Sequence, residues 1–295
     1  MENTLDFVVI GAQKAGSTFI MQCLQDHPDI YMPNGETPFF QGPDYSPDRL
    51  CVLEEIVRAA KPNQIRGIKR PNYLGEPEVP ARISRHFPHI KIIAVLRNPV
   101  SRAISAYFHF LRAGHIPLLP VNEGLRMILS HKLDTQYPLS STILTYGLYD
   151  QHVARYAEYF SEEQTKIIVF DDVINHPESS VQDLYRFLGI DEAIVPKRTD
   201  DRPMSASYSY SRLRINRFLK PLVYKISPDY SRLYPRPGTG ILRGLITGFD
   251  RQVLARLFRS AKPVIEDDVQ EALKAYYKED VDHLRNRLNH DLRDW

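Results

Sequence analysis

Gly11-Ala-Gln-Lys-Ala-Gly-Ser-Thr18 sets two glycines, a lysine and two hydroxyls directly behind the apolar run Phe7 to Ile10. These residue types, in this order, suit a cradle for a phosphate-like anion. Gly11 and Gly16 allow backbone conformations in which successive N–H groups point at one anion. Lys14 carries a cation into the loop. Ser17 and Thr18 add hydroxyl donors where a helix would begin, at the end whose dipole favours negative charge. A second anion site is suggested by Arg97, which follows the aliphatic run Ile90 to Leu96 and precedes Ser105 by eight residues. The guanidinium offers a planar fork for bidentate phosphate binding, and the serine a neutral donor. An ordinary surface arginine and serine explain the pair equally well. Glu36, shortly before Phe39 and Phe40, is a carboxylate of the kind that serves as a general base. The plainer reading of a lone loop glutamate is a solvated side chain. Lys69 ends the short run Ile65 to Lys69 and Arg70 follows it, where the carboxyl end of a strand in an open α/β sheet meets ligands.

The first loop nearly fits the ATP-binding pattern Gly-x-x-x-x-Gly-Lys-Ser/Thr, but Ser17 stands where the lysine belongs and the lysine sits inside the loop as Lys14. A cation still reaches the anion, from a different side. An ATP- and Mg²⁺-dependent phosphotransferase is therefore one alternative, with Asp171 and Asp172 as the nearest candidates for a magnesium ligand. A non-catalytic module binding a glycan or another anionic partner is the other. It rests on residues 197 to 243, where eleven lysines and arginines face three carboxylates, interleaved with Tyr208, Tyr210, Tyr224, Tyr230 and Tyr234. A solvated basic face is the common explanation of such a run.

These side chains need a scaffold, and the chain supplies alternating strand and helix patterns. Phe7 to Ile10 reads as a buried parallel strand. Ser17 to Gln25, with Phe19, Ile20, Cys23 and Leu24 apolar, reads as a helix ended by His27-Pro28. Strands follow at Ile65 to Lys69, Ile90 to Leu96 and Lys166 to Phe170. Asn98 caps a helix from Val100 to about Leu111, with Pro99 at its first position. One amphipathic helix is expected from Ile143 to Phe160, and another from Val181 to Leu188 ending at Gly189. The pattern predicts a three-layer, P-loop-like α/β fold with a mostly parallel central sheet flanked by helices. All 295 residues are expected to form a single domain. Its basic, tyrosine-rich segment at about 197–245 would be a lid or acceptor-binding segment, and a helical tail at about 250–295 would dock through Val269, Leu273, Tyr276, Val281, Leu284 and Leu288.

Composition narrows the partners. With 43% hydrophobic and 25% charged residues and a net charge of +2, neither nucleic acid nor a membrane is called for by charge. Cys23 and Cys51 form no disulfide framework or metal-ligand pattern and are expected to be packing residues. The N-terminus lacks a basic n-region, and no run of about 18 apolar residues occurs, so neither a signal peptide nor a membrane span is expected and the cytoplasm is the default.

Taken together, the motifs resemble those of sulfotransferases that use 3′-phosphoadenosine 5′-phosphosulfate (PAPS), in particular bacterial members and the sulfotransferase domains of heparan-sulfate-modifying enzymes. Gly11 to Thr18 is similar to that family's 5′-phosphosulfate loop, and Leu96-Arg-Asn-Pro-Val-Ser-Arg-Ala-Ile-Ser-Ala-Tyr107 to its 3′-phosphate motif. Glu36-Thr-Pro-Phe-Phe40 resembles its Glu-x-x-Phe-Phe segment, Lys69-Arg-Pro-Asn-Tyr73 its Lys-x-Pro-x-Tyr segment, and Tyr276-Tyr-Lys-Glu-Asp280 with Asp291-Leu-Arg-Asp-Trp295 a frequent tail. The resemblance implies that Gln13, Lys14, Ala15, Gly16, Ser17 and Thr18 hold the 5′-phosphosulfate and that Arg97 and Ser105 hold the 3′-phosphate. It implies that Lys14, Glu36 and Lys69 are catalytic, with Glu36 the base, and that PAPS becomes the product 3′-phosphoadenosine 5′-phosphate (PAP) without a metal. Ala15 and Pro38 depart from the commonest choices at their positions without removing a reactive group. A Cys-bounded loop often found in heparan-modifying members is missing, which turns the expectation toward a small-molecule acceptor over a polymeric carbohydrate. His109 and His115 are the alternative bases.

Overall fold

The computed structural model describes residues 4–196, 209–227, 233–258, 263–292, 294 and 295. Five strands, β1 (Phe7–Gly11), β2 (Ile30–Tyr31), β3 (Ile65–Lys69), β4 (Lys91–Leu96) and β5 (Thr165–Val169), form one sheet in the order β2-β3-β1-β4-β5. Every pairing in it is parallel. β1 lies in the middle, and the chain builds first to one side of it and then to the other. The carboxyl ends of β1, β3, β4 and β5 therefore come out along one edge, where open sheets of this type bind ligands.

The helices in chain order are α1 (Ser17–Gln25), α2 (Cys51–Val57), α3 (Val79–His86), α4 (Pro99–Ala113), α5 (Val121–Leu129), α6 (Thr142–Thr145), α7 (Tyr149–Ala157), α8 (Phe170–Asn175), α9 (Pro177–Leu188), α10 (Tyr210–Val223), α11 (Gly240–Phe249), α12 (Ala255–Leu257) and α13 (Asp267–Leu288). A short antiparallel hairpin, β6 (Tyr224–Ile226) with β7 (Leu233–Pro235), follows α10. The described residues gather into two compact units: those within Met1–Arg102, Leu148–Met204 and Asp280–Trp295, and those within Ala103–Gly147 and Ser205–Glu279.

The first unit holds the whole five-stranded sheet. Phe7, Val9, Ile93 and Val95 pack with Phe19, Cys23 and Leu24 of α1 and with Val181, Leu184 and Tyr185 of α9. Strand residues alternate between faces. Val8, Ile10, Ile92 and Ala94 on the opposite face are equally buried, so the sheet is covered on both sides. Each such aliphatic or aromatic side chain contributes about 1.5–3 kcal/mol, which explains why a core of this size tolerates a polar edge built for ligands. Asn98 caps α4 as expected, its Oδ1 accepting from Ser101 N at 2.9 Å. Gly189 closes α9 with φ +80°. The N-terminus of α7 is capped from far along the chain: the Asp280 carboxylate accepts from the backbone N–H groups of Asp150 at 3.0 Å and Gln151 at 3.3 Å. Arg287 Nε donates to the Asp150 carboxylate at 2.6 Å.

In the second unit Tyr107 Oη donates to Leu119 O at 2.8 Å, and Arg126 Nε donates to Asp268 Oδ2 at 3.0 Å. Arg212 Nε donates to Asp250 Oδ1 at 2.6 Å, and Asn216 Nδ2 donates to the same oxygen at 2.6 Å.

Several elements differ from the sequence reading. The helix expected over Ile143 to Phe160 is two, α6 and α7, broken at Gly147. A Cβ there would sit 2.8 Å from the Tyr277 ring, and Tyr277 Oη donates to Leu144 O at 2.9 Å, taking a carbonyl that a continuing helix would use. α7 ends at Ala157, and Tyr159 beyond it is exposed. In the tail it is Tyr277, one i, i+4 step from Leu273, that is buried in place of Tyr276. The fifth strand ends at Val169, so Phe170 opens α8. β2 was not legible: two residues in a turn-rich segment become a strand only by pairing with β3, Ile30 opposite Ile65. Cys23 is a packing residue, but Cys51, at the start of α2, is exposed. Of the expected lid segment, residues 197–208 and 228–232, with Tyr208 and Tyr230, lie outside the described residues.

Candidate active site

β1 ends at Gly11, and the loop to α1 turns through two left-handed residues, Lys14 at φ +68° and Gly16 at φ +93°. Gly16 is fixed by space as well as by torsion, since a Cβ would lie 2.6 Å from the Phe170 ring. No side chain caps α1. The first-turn N–H groups of a helix have no partner inside it, so this end presents Ser17 and Thr18 N–H groups to an anion. Ala15 is fully buried and Ser17 is nearly so, whereas Thr18 is exposed. Ala15 therefore has only its backbone to offer an anion. Gln13 Nε2 donates to Asn72 Oδ1 at 3.1 Å and ties the loop to the segment after β3.

Arg97, at the end of β4, lies with its guanidinium carbon 5.1 Å from the centre of the Phe170 ring, and its Nη1 donates to Lys14 O at 3.3 Å. Phe170 thus supports both the loop's turn and the neighbouring cation. Residues just past strand ends give no periodic signal, and sequence reasoning had no means of selecting this one.

Lys69, the last residue of β3, is 3% exposed. Its Nζ donates to Thr18 Oγ1 at 2.9 Å and lies 3.6 Å from Glu36 Oε1. Burial pushes its pKa below the ordinary lysine value and outweighs the opposing pull of Glu36. Glu36 is brought there by the loop after β2. Arg70 Nη1 donates to Glu36 Oε2 at 2.6 Å, while Arg70 Nε donates to Gln41 Oε1 at 2.7 Å. Tyr73 fixes this loop from beneath: its Oη donates to Thr37 O at 2.5 Å and accepts from Phe40 N at 3.0 Å. Tyr156 Oη in turn donates to Tyr73 O at 3.0 Å. Burial pushes the Tyr73 phenol far above its usual range, so it remains a neutral donor. The sequence pattern contained Arg70 and Tyr73 but did not reveal that one pairs with Glu36 and the other anchors its loop.

The first unit thus brings together Gln13, Lys14, Ala15, Gly16, Ser17, Thr18, Glu36, Lys69 and Arg97 at the carboxyl edge of one sheet. Ser105 belongs to the second unit, where it is 7% exposed on α4. His109 and His115 are also in that unit and are partly buried. Asp172 is held by His290, whose Nε2 lies 2.9 Å from Asp172 Oδ2. Gly16→Ala is expected to lower stability by roughly 1–3 kcal/mol through torsional strain and the Phe170 clash, and to remove anion binding at the loop. Urea unfolding and calorimetric titration with PAP would measure the two effects; a variant with unchanged stability would contradict the packing argument.

A family model described as a sulfotransferase domain matches residues 4–214. Human heparan sulfate glucosamine 3-O-sulfotransferase 3B1 is 29% identical over 193 residues, 64% of this chain and 47% of that protein. Mouse heparan sulfate glucosamine 3-O-sulfotransferase 6 is 30% identical over 194 residues, 64% and 54% of the respective chains. The chain spans about half the length of the curated relatives it matches. Among solved structures, a sulfotransferase from Alicyclobacillus acidocaldarius shares the fold with a TM-score of 0.67 and 24% identity, over 99% of this chain and 98% of that one.

Proposed function

The chain belongs to the sulfotransferase family, and from that premise we propose that it transfers a sulfuryl group from PAPS to a hydroxyl or amine of a small-molecule or carbohydrate acceptor. The observation that carries the reading is the position of Lys69 Nζ, within reach of both Thr18 at the start of α1 and the Glu36 carboxylate. One cation is thus shared between an anion-binding helix terminus and a candidate base, the relation needed where a group leaves a phosphate and joins a nucleophile. Glu36 takes the acceptor's proton as the new O–S or N–S bond forms. The S–O bond to the 5′-phosphate breaks, and its electron pair stays on the phosphate of PAP. Lys14, Lys69 and the loop N–H groups stabilise that charge. The 3′-phosphate is assigned to Arg97 and Ser105 on the strength of the Leu96 to Tyr107 motif. PAPS is a consumed co-substrate, and the residues gathered here supply the acid–base and charge-stabilising groups of this scheme.

In the Glu36–Arg70 pair the base is held by a guanidinium, and an acceptor must approach Glu36 from its exposed side. The heparan sulfate 3-O-sulfotransferases act, by their names, on a glucosamine hydroxyl, which makes hydroxyl-bearing sugars the first acceptors to try alongside phenols and amines. The decisive experiment measures PAP formation from PAPS in the presence of such a panel, with a thermal-shift comparison of PAP against ATP and Mg²⁺. Stabilisation by PAP alone and acceptor-dependent PAP release support the reading. Stabilisation by ATP and Mg²⁺ only would replace it with phosphoryl transfer.

The buried Lys69 gives the reaction a pH signature. Its pKa is lowered in the folded protein, so the ammonium is lost as pH rises through a value below the ordinary 10.5. Turnover is expected to fall along an alkaline limb lying below that value. The sign for stability is opposite. The unfolded chain binds this proton more tightly, so Lys69 weakens the fold at neutral pH, and the penalty is relieved as pH rises toward 10.5. Lys69→Met is therefore expected to cut kcat by about a hundredfold or more, remove the alkaline limb and leave Tm unchanged or raised, because Glu36 keeps its bond to Arg70. A lowered Tm with retained turnover would contradict both parts.

A further inference from the structure

The second unit carries an apolar surface that the proposed reaction does not use. From α11 through the wider helical turn Asp250–Leu254 to α12 the chain is helical without interruption from Gly240 to Leu257. Ile241, Leu245, Phe249, Val253 and Leu257 recur along it every fourth residue, and all five are exposed, Ile241 to 85%, Leu245 to 65% and Leu257 to 70%. A monomeric soluble protein rarely leaves so continuous a stripe in water. The lane beside it is open too: a Cβ added at Gly240, Gly244 or Gly248 would meet nothing within 4 Å.

Charge selects the occupant. Among the described residues from 209 to 258 there are nine lysines and arginines and one carboxylate, Asp250, which is already bound by Arg212 and Asn216. Arg251 and Arg256 belong to the same helical stretch and are exposed, so cations flank the apolar stripe along its length. A second copy of this chain would set cations against cations. A glycan or another polyanion would answer the charge but leave the aliphatic stripe in water. An anionic bilayer answers both, because acyl chains accept the apolar side chains while headgroups pair with the arginines. No helix among the described residues is long and apolar enough to cross a membrane, so the contact lies at the interface.

We propose that the Gly240–Leu257 helical stretch docks the protein on the surface of an anionic lipid bilayer. Co-sedimentation of the full chain with vesicles tests this, comparing phosphatidylcholine alone with an equal mixture of phosphatidylcholine and phosphatidylglycerol. Partition onto the anionic vesicles is expected to exceed that onto neutral ones by about tenfold or more at ~0.1 M salt, and to fall by about tenfold at ~0.5 M salt. Ile241→Glu with Leu245→Glu should remove binding to both vesicles. Arg251→Gln with Arg256→Gln should remove the preference for the anionic ones. Both pairs are on the surface, and Tm and PAP binding serve as controls for folding. Equal or absent partition onto the two vesicles would overturn the proposal. So would a concentration-dependent dimer in light scattering that Ile241→Glu/Leu245→Glu disrupts, or retention on immobilised heparin without vesicle binding.

Discussion

Glu36→Gln is expected to lower kcat for sulfuryl transfer by roughly 10²- to 10⁴-fold, the range for loss of a positioned base. Glutamine keeps the size of the side chain and an oxygen that accepts from Arg70, so the Glu36 loop, held independently by Tyr73, should stay where it is. What disappears is the capacity to take a proton. The measurement is single-turnover PAP formation with a saturating acceptor, alongside PAP affinity and Tm, neither of which should change appreciably. Turnover within threefold of wild type would remove Glu36 from the mechanism and move attention to His109 and His115.

Lys14→Ala is expected to cost roughly 10²- to 10³-fold in kcat, about 3–4 kcal/mol, as for loss of one preorganised charge stabiliser. The substitution separates two roles of this residue. Its backbone carbonyl, which accepts from Arg97, and its left-handed torsion belong to the loop and survive in alanine with little added strain. In the proposed scheme its ammonium stabilises charge that develops on the leaving phosphate. PAP affinity should therefore fall much less than kcat, the pattern of an interaction made chiefly in the transition state. An equal loss in both would recast Lys14 as a binding residue.

The sheet was legible because parallel strands covered on both faces must be apolar throughout, and Phe7 to Ile10 and Ile92 to Leu96 announce themselves. The phosphate loop was legible for a related reason: few residues tolerate its torsions, so Gly16 appears as punctuation between an apolar strand and a helix. Lys69 was visible at a strand terminus, but its contact with Thr18 was not, since the two residues are 51 apart and join only through the sheet register. The Glu36–Arg70 pair was hidden in the same way, each partner looking like an ordinary solvated charge. The break at Gly147 depended on a tyrosine 130 positions away, beyond any local periodicity. What sequence withheld was in each case a long-range contact between side chains with plausible local explanations.

The cap on α7 has a consequence for the order in which this protein is made. Asp280 supplies the carboxylate that its first N–H groups need, yet it is synthesised 130 residues after Asp150. At ~5–20 residues per second the helix waits on the order of ten seconds for its partner. During that interval the five strands are already available to pair, with α7 held by its apolar face and by the Tyr156 bond to Tyr73 but without its N-terminal cap. Translation thus orders the assembly, with the sheet and phosphate loop formed early and α7 locked to the first unit only when the late-made helix α13 delivers Asp280 and Arg287.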